Sequence, residues 1–105
     1  MIRTTLAHLH IAALSHAGMS GKNNEDRYAI SSYLVSKEDP RPAVFAVVAD
    51  GIGGHRAGEV AAELAVNYIT KGVSESSVRK PLKTLENAIQ EASQAIAAHS
   101  AGNDD

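Results

Sequence analysis

Six consecutive apolar residues, Val44, Phe45, Ala46, Val47, Val48 and Ala49, run directly into Asp50-Gly51-Ile52-Gly53-Gly54. A short run of this kind, with no polar residue in alternation, predicts a strand buried on both faces. The run therefore places a carboxylate at a strand end, with glycines immediately behind it. Downstream, Val60, Ala61, Leu64, Ala65, Tyr68 and Ile69 recur at helical spacing from about Gly58 to Lys71, and Gly72 is expected to supply the stop. A second series, Leu82, Leu85, Ile89, Ala92 and Ile96, steps by three and four after Pro81, a residue suited to a first helical turn. Its polar tail from Ser100 to Asp105 is expected to fray.

Upstream, Leu9, Ile11 and Ala13 alternate with His8, His10 and Ala12, which predicts a strand over Leu6 to Ser15. The stretch from Ala17 to Arg27 is rich in turn residues and predicts an irregular connection. Tyr28 to Val35 suits another strand, and Ser36 to Pro42, with two prolines, a hairpin loop. The order strand, strand, strand, helix, helix argues for an α+β fold with a mainly antiparallel sheet.

Composition narrows the function classes. With 44% hydrophobic and 21% charged residues in 105, the chain reads as one soluble globular domain. A formal charge of -2, with ten scattered Lys and Arg residues, gives no attraction to a phosphodiester backbone, so no nucleic-acid partner is expected. No window approaches the roughly 20 apolar residues of a membrane span, and His8 and His10 interrupt the only leader-like stretch, so no membrane partner and a cytoplasmic location are expected. The absence of cysteine removes disulfides, thiolate metal sites and a cysteine nucleophile. Any metal has to take oxygen or imidazole ligands.

Two segments could supply them. In Asp50-Gly51-Ile52-Gly53-Gly54-His55-Arg56-Ala57-Gly58-Glu59, an aspartate fixed by a strand end is well placed to hold a divalent cation. The unhindered carbonyl of Gly51 adds a second hard oxygen. Read alone, the same pattern is equally a tight turn and helix cap. In Gly18-Met19-Ser20-Gly21-Lys22-Asn23-Asn24-Glu25-Asp26, two adjacent carboxylates precede a strand, and alone this is an ordinary solvated loop. Neighbours on an extended backbone point to opposite sides, so one of Glu25 and Asp26 faces a metal readily while the other reaches it through water or a partner.

Together the two segments resemble the first two motifs of the metal-dependent protein serine/threonine phosphatases of type 2C. Gly18, Asn24, Glu25 and Asp26 match the first motif, and Asp50, Gly51, Gly53, Gly54, His55, Gly58 and Glu59 match the second. The resemblance spans Ser15 to about Ala98. It implies part of a four-layer α-β-β-α sandwich, with residues 1–105 as the N-terminal, incomplete portion of a single phosphatase domain. It further implies that Asp50 is catalytic and bridges two Mg²⁺ or Mn²⁺ ions, that Gly51 offers its carbonyl, and that Glu25 and Asp26 bind metal directly or through water. Two such cations activate water for attack on phosphorus, with no covalent phosphoenzyme. The implied partner is a phosphorylated protein substrate.

The chain departs from the family pattern in two respects. Gly21 stands where the family has a phosphate-binding arginine, and the neighbouring Lys22 lacks the planar fork of a guanidinium. The further aspartates and strands that the family draws from its C-terminal half are not among these 105 residues, so this chain alone is expected to be inactive. The alternative is a noncatalytic phosphatase-like interaction module. A zinc site at His8, His10 and His16 lacks ligands to complete it, and Gly51-Ile52-Gly53 has Arg56 where a dinucleotide motif needs its third glycine. His55 is expected to shape the glycine turn.

Overall fold

The computed structural model describes residues 1–15, 26–51 and 56–102, with the side chain of Arg56 outside that set. Three strands, β1 (Ile2–Thr4), β2 (Arg27–Leu34) and β3 (Pro42–Ala49), precede two helices, α1 (Arg56–Ser74) and α2 (Pro81–Ala101). The strands form one antiparallel sheet in the order β1-β2-β3. This is the α+β arrangement that the sequence predicts, in the part of the chain described.

The β2–β3 hairpin is the frame of the molecule. Its ladder runs without a bulge from Arg27 opposite Ala49 to Leu34 opposite Pro42. Pro42, which has no N–H to donate, takes the first position of its strand, where none is missed. At the closed end the Ser36 N–H donates to the Asp39 carbonyl at 2.9 Å and the Val35 N–H to the Arg41 carbonyl at 3.0 Å. The Arg41 guanidinium also grips the Asp39 carboxylate at 2.6–3.0 Å.

Directly paired residues share a face, so Ser31, Tyr33, Ala43 and Phe45 point to one side, against which α1 packs. Tyr33 is buried there, and its hydroxyl meets Ser74 Oγ near the end of α1 at 2.6 Å. The core continues through Ala62, Val66 and Val73 on α1 to Ala88 and Ala92 on α2. Small side chains let the two helices approach closely. A Cβ placed on Gly72 would lie 2.8 Å from the Cβ of Ala88, so Gly72 is a contact point between helices.

Three expectations are corrected. Gly72 does not stop α1, which continues to Ser74; the glycine is retained inside the helix for its missing side chain. The strand expected over Leu6 to Ser15 does not form. β1 instead pairs Ile2, Arg3 and Thr4 with Leu34, Tyr33 and Ser32, and the chain then bends away with Leu6 and Leu14 exposed. Alternation describes what a strand would present, but a strand also needs a neighbour's free backbone groups within reach. Nor is β3 buried on both faces: Val48 is 77% exposed and burial alternates along the strand. The helices cover one face only, and Tyr28 and Val48 lie exposed on the other.

Candidate metal centre

Antiparallel pairing decides which carboxylates meet. Arg27 is opposite Ala49 in the last pair at the open end of the hairpin, so Asp26 immediately precedes β2 and Asp50 immediately follows β3. The hairpin thus carries two exposed carboxylates, 24 positions apart in sequence, to one end of the sheet at the ends of adjacent strands. Asp26 also lines the groove between residues 11–15 and Tyr28, Ile30 and Val48 on the sheet. Gly51 follows Asp50 and is buried.

This donor set suits a hard cation. Two carboxylates and a peptide carbonyl are oxygen ligands of the kind that Mg²⁺ and Mn²⁺ prefer, and the chain has no thiolate to favour a softer metal. It is a partial set, since among the described residues no three Asp, Glu, His or Cys side chains converge. Glu25, Gly21, Lys22, His16 and His55 lie outside the described residues.

The residue behind Asp26 also takes part in the local structure. Arg27 lies one strand position further on, and its side chain therefore turns to the helix side of the sheet. There Nη2 donates to Glu59 Oε1 at 2.7 Å, while Nη1 of the same guanidinium donates to the Asp26 carbonyl at 2.9 Å. Glu59 sits in the first turn of α1, where the helix dipole favours a negative charge. Sequence reading gave Glu59 a place in a motif without a task and passed over Arg27. The available signal was strand parity, which sends alternate residues of β2 toward the helix.

A family model described as protein phosphatase 2C matches residues 15–104. A serine/threonine phosphatase, stp, of Listeria innocua is 31% identical over 88 residues, covering 84% of this chain and 32% of the relative. Its counterpart in Listeria monocytogenes serotype 4b is 32% identical over the same length. The serine/threonine protein phosphatase PstP of Mycobacterium tuberculosis is 34% identical over 98 residues, covering 93% of this chain and 17% of the relative. The chain therefore spans a third or less of these relatives. No solved structure matches it.

Proposed function

Because this chain belongs to the protein phosphatase 2C family, we propose that it supplies the N-terminal part of the active site of a cytoplasmic, metal-dependent protein serine/threonine phosphatase. The observation that supports this reading is the hairpin register, in which the residues next to Asp26 and Asp50, Arg27 and Ala49, are paired at the open end of the sheet. Asp50 and Asp26 would hold Mg²⁺ or Mn²⁺ through their carboxylates, Gly51 through its carbonyl, and Glu25 directly or through water. Bound divalent cations supply Lewis-acid activation of water and neutralise charge developing on phosphoryl oxygens. The substrate is phosphoserine or phosphothreonine on a protein, the class that the relatives' names indicate.

With two described carboxylates and one carbonyl, the 105-residue chain holds only part of a two-cation site. On its own it should show no metal-dependent turnover, and robust hydrolysis of an aryl phosphate by the purified chain with Mn²⁺ would overturn this. The alternative of a noncatalytic partner-binding domain is favoured by Gly21, which cannot grip phosphate through a side chain.

Calorimetric titration of the full-length protein with Mn²⁺ tests the site. Asp50→Asn keeps the shape but removes a negative charge and part of the acceptor set. It should weaken Mn²⁺ binding by more than about tenfold, since even outer-sphere partners of a metal are worth that much. An Asn variant that folds and binds as tightly as the parent shows that Asp50 is not the anchor.

A further inference from the structure

Resting on that reading of the metal centre, we infer that Arg27 and Glu59 form a positioning clamp, in which one guanidinium ties the strand end carrying Asp26 to the first turn of the helix that follows Asp50. Arg27 Nη1 holds the Asp26 carbonyl at 2.9 Å and Nη2 holds Glu59 Oε1 at 2.7 Å. The backbone of Arg27 is simultaneously paired with Ala49, the residue before Asp50. One residue thus touches all three segments that meet at the site: the start of β2, the end of β3 and the start of α1.

A surface ion pair elsewhere would matter little. Here the side chains of Arg27 and Glu59 are 30% and 32% exposed, so solvent screens the pair incompletely, and the contact is charge-assisted. Its orientation matters more than its strength. The bond to the Asp26 carbonyl fixes the peptide plane from which the Asp26 side chain departs, and the bond to Glu59 anchors the first turn of α1. The planar fork of arginine makes two divergent contacts from one rigid group, a geometry that a lysine ammonium does not provide. A centre that must hold its carboxylates to within about half an ångström needs such support.

The test uses the full-length protein, with Mn²⁺ affinity by calorimetry and melting temperature measured on each variant. Arg27→Met and Glu59→Gln should weaken Mn²⁺ binding by about 10–100-fold, the range for outer-sphere partners of metal ligands. Arg27→Lys, which keeps the charge without the fork, should recover only part of the loss. Gly72→Ala, remote from the site at the helix contact, serves as the control and should lower the melting temperature with Mn²⁺ affinity unchanged. If the Arg27 and Glu59 variants lower melting temperature as the control does and bind Mn²⁺ like the parent, the pair is structural and the inference fails. Should Arg27→Met not fold, Arg27→Lys and Glu59→Gln decide by the same criterion. Asp50→Asn run alongside separates the two levels. If it weakens binding while the clamp variants do not, only the clamp is lost; if it too binds normally, the metal centre and the clamp both fall.

Discussion

Tyr33 shows what one polar atom contributes in this small core. Its ring is almost wholly buried, Arg3 lies over it at 5.8 Å from the centroid, and its hydroxyl reaches Ser74 at 2.6 Å. Tyr33→Phe retains the ring and loses one hydrogen bond, so urea denaturation should show a loss of about 0.5–1.5 kcal/mol. A loss of several kcal/mol would mean that the hydroxyl has a larger role than this bond. Asp39 behaves differently because it is solvent-exposed. The hydrogen bond from the Arg41 side chain holds its pKa below the ordinary 3.8, with desolvation opposing it. A depressed carboxylate pKa stabilises the folded hairpin at pH above the unfolded value, and that contribution disappears as pH falls through the lower folded value. Hydrogen exchange at the Val35 and Ser36 amides should therefore be slower than in Asp39→Asn at neutral pH, and the two proteins should converge in acid.

At the scale of elements, the α1–α2 contact sets two effects of opposite sign against each other. Gly72→Ala would gain about 1 kcal/mol of helix propensity. Against this, the new methyl would sit 2.8 Å from Ala88 Cβ, where carbon atoms rest at about 3.5–4.0 Å, and overpacking costs about 1–3 kcal/mol. The clash should win and the variant should melt at lower temperature. Adding Ala88→Gly should restore part of the loss, which a double-mutant cycle reads directly. These elements also show what sequence could reveal. The helical series and the run ending at Asp50 were legible because each is a local pattern. The reach of α1 past Gly72 was not, because a glycine kept for close packing is the same letter as a glycine that ends a helix. The Arg27–Glu59 contact spans 32 residues, and only the register of β2 against β3 and the seat of α1 bring it about.

For the whole molecule, the decisive asymmetry is a sheet that the helices cover on one side only, with residues 11–15 passing over part of the other. Tyr28 and Val48 lie exposed on the opposite face, and Leu82 and Ile89 of α2 are exposed as well. Exposed apolar side chains in this number favour association. The purified 105-residue chain should self-associate in light scattering, and Val48→Asp should reduce this without loss of helical signal; a monodisperse monomer would overturn the expectation. The apolar run of β3 implied burial on both faces because side chains state a preference for cover without identifying what provides it. Among the described residues no helix is long and apolar enough to cross a membrane.

The hairpin that assembles the carboxylates also bears on how the chain folds. A ladder closed by a short loop is among the quickest long-range structures to form, in about 1–10 μs for isolated hairpins. Here, however, zipping ends by bringing two negative charges, Asp26 and Asp50, together at the open end. Like charges carried to one end of a ladder repel, and a divalent cation held there, or removal of one charge, lessens that repulsion. Stopped-flow refolding of the full-length protein should thus accelerate with Mn²⁺ and, without metal, run faster in Asp50→Asn than in the parent. The site would then act as a brake on its own assembly, released by the ion it is built to hold.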